Sequence, residues 1–218
     1  MISAAHNPCE YNGIKIFQSN GYKLPDALEN EIEAIILDNA IEIPTPIGGG
    51  VGKAKRKADA INDYIEHLLS ATNMSFKGYK IALDCANGSS SVSAEEVFTR
   101  LGAEVIVISD KPDGTNINKD CGSTHLENLQ KVVVENNCDL GFAFDGDADR
   151  MLAVDHTGAV VDGDKCIAVC AKHMKELGKL KKDTAVVTVM SNMGFFKFCE
   201  ENGIKCEKTK VGGRYVLE

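Results

Sequence analysis

Asp145-Gly-Asp-Ala-Asp-Arg150 is the stretch whose reading decides the rest of this chain. Three carboxylates alternate at i, i+2 and i+4, and in an extended or gently turning backbone that spacing aims them the same way. Like charges so close repel one another unless a cation offsets them. Hard oxygen donors in a compact loop suit Mg²⁺, which takes one or two carboxylates together with phosphate oxygens and waters. Gly146 and Ala148 leave room for the backbone to turn, and Arg150 adds a planar donor fork that matches phosphate. Leu140–Phe144 before the loop and Met151–Asp155 after it are apolar runs of strand length. The acidic loop therefore sits where open α/β sheets gather ligands, at a strand's carboxyl end.

Three alternatives compete. An acidic surface turn accounts for one or two aspartates, not for three in alternation. An EF-hand loop needs Gly at its sixth position and Glu at its twelfth, where this chain has Arg150 and His156. An aspartyl-nucleophile phosphatase calls for Thr or Val soon after its second Asp, and Ala148-Asp149 does not fit.

With 218 residues and a net charge of −8, the chain has the composition of a soluble globular protein of one large or two small domains. The charge argues against nucleic acid or an anionic membrane as the main partner, while leaving room for small anionic substrates held by local Arg, Lys or metal. No apolar run reaches the roughly 20 residues of a membrane-spanning helix, and no signal peptide is recognised, so the cytoplasm is expected. The eight cysteines include no C-x-x-C pair and are expected as reduced thiols. Cys166 and Cys170, four apart on an expected helix, read as small buried residues.

Outward from the loop, the chain alternates strand and helix. Met1–Pro8 reads as a strand running into a loop, and 12–17 with 22–24 as a hairpin around Ser19-Asn-Gly21. Pro25 opens a helix to about Asp38 with Leu28, Ile32, Ile35 and Ile36 on one face. These pieces cannot cover both sides of a sheet, so a truncated first domain is expected. Residues 39–57 read as a linker; their Gly-Gly-Gly-Val-Gly-Lys run is no P-loop, because Ile47 stands where a glycine is needed and Ala54 lacks the metal-binding hydroxyl. From residue 58 to 157 the spacing predicts helix 58–71, strand 79–85, a helix from a Ser93/Glu96 capping box, strand 104–108, a helix from a Thr124/Glu127 capping box, and strands 138–144 and 151–155. Residues 158–218 begin a second unit: helix 164–177, strand 184–190, helix 193–202, strand 204–208, and a helix starting as the sequence stops. The order implies α/β architecture, three-layer α/β/α domains with mainly parallel mixed sheets, truncated at both ends.

Seven motifs in order resemble one family, the α-D-phosphohexomutases. They are Ile2-Ser-Ala-Ala-His-Asn-Pro8, Asn12-Gly-Ile-Lys15, Asp84-Cys-Ala-Asn-Gly88, Asn116-Ile-Asn-Lys-Asp-Cys-Gly-Ser-Thr124, the acidic loop, Met190-Ser-Asn-Met-Gly194 and Lys210-Val-Gly-Gly-Arg-Tyr-Val216. The resemblance spans nearly the whole chain, and the 116–124 stretch is most similar to the branch that acts on glucosamine phosphates. It implies that 1–38 is the end of a first domain, 58–157 a complete second and 158–218 the opening of a third. It also implies a soluble isomerase of amino-sugar and cell-wall precursor synthesis, which interconverts glucosamine 6-phosphate and glucosamine 1-phosphate through a phosphoserine and a bisphosphate. The sibling mannose and glucose mutases are the alternative, as is a non-catalytic Mg²⁺ and sugar-phosphate binding module.

By the same resemblance, Asp145, Asp147 and Asp149 hold Mg²⁺, Lys15 is the base for the attacking hydroxyl, His6 and Arg150 contact the phosphoryl group, and Gly212 and Arg214 belong to a loop that touches substrate. The residues alone allow plainer roles: a solvent-facing strand lysine, a satisfied loop histidine, an arginine paired to neighbouring aspartates, a glycine-rich turn. Lys15 acts as a base only with its pKa lowered by burial or by nearby cations. Two positions depart from the pattern. Ala5 stands at the phosphoserine position and has no hydroxyl to carry the phosphoryl group. Ser3, about 6–7 Å away along an extended strand, is expected to be too far to take over that reaction, which needs near-attack distances of about 3–3.5 Å. Gly213 replaces an Asp usual in this branch.

Overall fold

The computed structural model describes residues 1–38 and 41–217, apart from the side chain of Arg214. Two positions of the expected linker, 39 and 40, and the final residue lie outside the described residues.

The centre of the chain is a five-stranded mixed sheet in the order β4-β3-β5-β6-β7. Its strands are β3 (Lys80–Asp84), β4 (Glu104–Ile108), β5 (Leu140–Phe144), β6 (Met151–Asp155) and β7 (Val160–Val161). β3 runs parallel to both β4 and β5, with Ile81 opposite Val105 on one side and Leu140 on the other. β5 and β6 then form an antiparallel ladder from Leu140↔Asp155 to Phe144↔Met151. The acidic loop is the tip of that hairpin, and it lies at the same edge as the carboxyl ends of β3 and β4.

Period-two alternation divides the central strands between two cores. Ile81 and Leu83 of β3 turn to one face, with Phe98, Phe142 and Phe144 packed there. That side is covered by α3 (Ala94–Arg100), against which α2 (Ala60–Ser70) packs. Ala82 and Ala143 turn to the other face, under Leu129 and Val133 of α4 (Glu127–Glu135). Leu129 and Val133 are four apart and so share one stripe of the helix. Gly141 lets that helix come close, since a Cβ there would lie 2.6 Å from Val133 Cγ2. Helix, sheet and helix make the three layers.

On the N-terminal side, β1 (Ile2–Ser3) pairs antiparallel with β2 (Gly13–Ile14), followed by α1 (Asp26–Leu37). On the C-terminal side, β8 (Thr184–Thr188) and β9 (Lys205–Thr209) are parallel and packed with α5 (Gly163–Glu176) and α6 (Met193–Glu201), before α7 (Gly213–Leu217).

Four local expectations are corrected. Phe17 and Lys23 make one isolated bridge; the main partner of the 12–17 stretch is β1, because the functional loop between them closes a wider turn. Ser93 precedes α3 without a side-chain cap, its φ of −136° and ψ of −32° departing from the extended cap conformation. Thr124 lies in a 3₁₀ turn (Gly122–Thr124), and α4 is capped by Leu126, so no capping box forms there. Cys170 is exposed and Cys166 half-buried, because that face of α5 is turned away from the β8–β9 core.

Candidate active site

Asp145, Asp147 and Asp149 each offer a carboxylate oxygen within 4.8 Å of the others. The hairpin gives each a different setting. Asp145 is fully buried and its Oδ1 accepts the Arg150 N–H at 3.1 Å. Asp147, whose side chain is 7% exposed, accepts at Oδ2 from Lys15 Nζ at 2.5 Å and from Ser3 Oγ at 2.7 Å. Asp149 is mostly exposed and accepts from Lys15 Nζ at 3.2 Å. Asp145 Oδ2 and Asp147 Oδ1 are buried with no hydrogen-bond partner among the described residues. Two buried carboxylate oxygens left unsatisfied and facing one cluster fit a hard divalent cation, for which they are the expected donors. Of the chain's own residues, Asp145, Asp147 and Asp149 would hold it.

Burial pushes Asp145 above the usual carboxylate range, and the neighbouring Asp147 and Asp149 add to the rise. Burial acts the same way on Asp147, but the hydrogen bonds from Lys15 and Ser3 outweigh it and the net shift is downward. Lys15 is raised, chiefly by its hydrogen bond to Asp147. A general base needs the opposite shift, so the pairing of Lys15 with Asp147 and Asp149 works against that role in this arrangement.

The N-terminal loop is held against the hairpin tip through main-chain atoms. The Ala5 carbonyl accepts from Gly146 N and from Asn118 Nδ2, each at 2.9 Å. Asn118 Nδ2 also donates to the Asn7 carbonyl at 2.8 Å. Ala5 has a left-handed φ of 50°, and Ala86, Asn87, Asn118 and Ala148 share that region. Such a concentration of strained, non-glycine backbone marks functional sites. Gly146 cannot be replaced in kind: a Cβ would meet Ala5 O at 2.6 Å, Ile117 Cδ1 at 2.8 Å and Asn118 Nδ2 at 2.9 Å. Beneath, the fully buried Asp84 accepts from Ala86 N at 3.0 Å and Gly122 N at 2.9 Å, fixing the two turns that flank the loop.

The structure thus brings Ala5, His6, Lys15, Arg150 and the three aspartates to one place. Arg150 Nη1 donates to His6 Nδ1 at 3.1 Å, and Arg150 Nε lies 4.0 Å from Asp149 Oδ1. Gly212 is elsewhere: its loop follows β9 and adjoins a cavity of about 730 Å³ lined by Tyr22, Lys23, Gly213 and Tyr215, which shares no lining residue with the acidic loop. The Arg214 side chain lies outside the described residues. Three contributors escape a reading of the sequence. Ser3, at the end of β1, donates from Oγ to Asp147 Oδ2 at 2.7 Å, a contact between segments 144 residues apart. Asn118 and Asp84 belong to recognisable motifs without a role of their own there. A buried-type position occupied by Asn or Asp beside glycine turns is the signal that could have found them.

Comparison with known proteins leads the same way. Models of the phosphoglucomutase/phosphomannomutase family match in sequence: alpha/beta/alpha domain I over residues 1–41, domain II over 62–158 and domain III over 162–218. A phosphoglucosamine mutase of Clostridium botulinum (strain Eklund 17B / Type B) is 57% identical over all 218 residues, which cover 49% of that protein. One from Clostridium tetani is 56% identical over the same span, again 49% of its length. The chain therefore spans about half the length of the curated relatives it matches. Among solved structures, a phosphoglucomutase/phosphomannomutase family protein from Burkholderia thailandensis superposes with a TM-score of 0.77 at 21% identity, over 99% of this chain and 45% of that one. A putative phosphomannomutase from Thermus thermophilus gives 0.74 at 20% identity, over 97% and 48%. Those two superpositions establish the fold, and the ordered domain matches together with the close relatives establish more: this chain belongs to the phosphoglucomutase/phosphomannomutase family.

Proposed function

We propose that this chain carries part of a glucosamine-phosphate mutase site and binds a divalent metal and a hexosamine phosphate without turning it over. The observation that carries the reading is the pair of unpartnered buried oxygens on Asp145 and Asp147, beside the carbonyl of Ala5. The name phosphoglucosamine mutase borne by relatives 54–57% identical favours glucosamine 6-phosphate and glucosamine 1-phosphate over other hexose phosphates. Residues 1–38, 58–157 and 158–218 are taken as contributions to domains I, II and III, with 39–57 as linker. A cytoplasmic location is part of the same reading; among the described residues no helix is long and apolar enough to cross a membrane.

In the reaction so proposed for a serine-bearing relative, a phosphoserine at position 5 gives its phosphoryl group to the free hydroxyl of a hexosamine monophosphate. The sugar oxygen bonds to phosphorus, the phosphorus–oxygen bond to the serine breaks, and the sugar hydroxyl's proton ends on the serine oxygen by way of a base. The bisphosphate so formed turns over and returns its other phosphoryl group to the serine oxygen, taking the proton back onto the freed sugar hydroxyl. Bound Mg²⁺ would supply charge neutralisation to the transferring group. Lys15 and Arg150 would add positive charge and orientation, with His6 held by Arg150 as a hydrogen-bond partner for phosphoryl oxygens. For Lys15 to serve as base, its pairing with Asp147 and Asp149 would have to be relieved. The Ala5 side chain supplies no hydroxyl oxygen, which favours the non-catalytic form of the reading.

The test is an assay with glucosamine 6-phosphate, Mg²⁺ and a bisphosphate primer, on the chain and on Ala5→Ser. No turnover is expected from the unaltered chain, whose position 5 has no side-chain hydroxyl to carry the phosphoryl group. Slow uptake of phosphoryl by the Ala5→Ser protein is expected. Turnover by the unaltered chain would overturn the role of position 5.

A further inference from the structure

We infer that Ser3 is a positioning residue for the acidic loop, its hydroxyl fixing which oxygen Asp147 turns toward a divalent cation. The inference rests on the reading of that loop as a metal site. Ser3 Oγ donates to Asp147 Oδ2 at 2.7 Å and accepts the Ala5 N–H at 2.9 Å. Lys15 takes the same carboxylate oxygen at 2.5 Å. Oδ2 of Asp147 thus has two donors, while Oδ1 is buried and has none among the described residues. Asp145 is divided the same way by a different donor: the Arg150 N–H takes Oδ1, and Oδ2 is left over. Two neighbouring carboxylates, each satisfied on one oxygen and orphaned on the other, describe ligands oriented by an outer layer of hydrogen bonds. Partners of that kind hold a ligand's rotamer and commonly control metal affinity by a factor of about ten or more.

The local half of this arrangement is ordinary. A serine accepting from the N–H two residues on is a common turn, and it needs no function. The donation across 144 residues to Asp147 is a different matter. It links the main chain of position 5, held at a left-handed φ of 50°, to a carboxylate of the cluster through one oxygen atom. Lys15 alone would neutralise Asp147. A flexible ammonium on a long stem, one-third exposed, does not define a rotamer as a short hydroxyl on a paired strand does.

An isosteric pair isolates the hydroxyl: Ser3→Thr keeps it and Ser3→Val replaces it with a methyl. Mn²⁺ affinity of the whole chain is measured by electron paramagnetic resonance or calorimetry, with Asp145→Asn as the site control. Ser3→Thr is expected to bind within about twofold of the parent. Ser3→Val is expected to bind about tenfold more weakly or worse. Ser3→Ala, a smaller replacement should valine crowd the strand, is expected to lose as much as valine. Equal affinities for Ser3→Thr and Ser3→Val, with Asp145→Asn still weakening binding, would overturn the inference alone. Mn²⁺ binding indifferent to Asp145→Asn would overturn the metal reading and the inference with it.

Discussion

The side-chain amide of Asn118 donates 2.9 Å to the carbonyl of Ala5, across 113 residues of sequence, and holds the N-terminal loop onto the acidic hairpin. The same nitrogen reaches the Asn7 carbonyl at 2.8 Å. Asn118→Ala removes both bonds and leaves the Gly146 N–H to hold the Ala5 carbonyl. Hydrogen exchange of the Gly146 amide is expected to speed up roughly tenfold, the equivalent of about one net hydrogen bond. Amides of β3 should not change. An unaltered Gly146 rate would show that Asn118 does not hold this contact.

Asp84 is fully buried and accepts from both the Ala86 N–H and the Gly122 N–H. Asp84→Ala would strand two buried donors and cost about 2–4 kcal/mol in denaturant unfolding. The pH dependence has a definite sign. Burial raises this carboxyl above its ordinary 3.8, against the lowering effect of the two N–H groups. A group raised on folding contributes most below its unfolded value and loses that contribution as pH climbs through the folded one. The stability of the parent relative to Asp84→Asn should therefore fall as pH rises from below 3.8. A relative stability that climbed over that interval would contradict the burial argument.

Lys15 and a divalent cation compete for the same carboxylates. Asp147→Asn should weaken Mn²⁺ binding, whereas Lys15→Met should strengthen it, by on the order of threefold once solvent screening of this one-third-exposed ammonium is allowed for. Parallel calorimetric titrations decide the matter. Weaker binding to Lys15→Met would mean that the lysine organises the site and does not contend for it.

No residue of α1 is buried, and Leu28, Ile36 and Leu37 are exposed along it. Bare apolar surface of this kind goes with low local stability and with self-association. Exchange protection over 1–38 is expected to be well below that over 79–155. Equal protection in a monomeric sample would refute this.

The acidic loop, its flanking strands and the helical order were legible because each depends on local spacing. Period-two alternation placed Ile81 and Leu83 against one helix and Ala82 against the other. The family resemblance supplied the roles for Ala5 and Lys15 that residue chemistry alone left open. What stayed hidden depended on contacts between distant segments. The reading of 1–8 weighed Ser3 only as a substitute nucleophile, and its hydrogen bond to Asp147, 144 residues on, appears only in the folded chain. The lowered pKa required of Lys15 could not be judged until its partners were known, and they raise it. The capping boxes failed because tertiary turns at Ser93 and Gly122 set the backbone before the helices began.

Gly146 bears on how this site can diversify. The hairpin tip meets the N-terminal loop through a residue with no side chain, and Ala5 O, Ile117 and Asn118 crowd the space where one would project. A saturation library across 145–150 should therefore return glycine at 146 almost without exception among folded clones. Variation in what the loop grips would have to come from its outward neighbours. Asp149 and Arg150, both more than half exposed, are the positions where drift can retune the site without parting the seam.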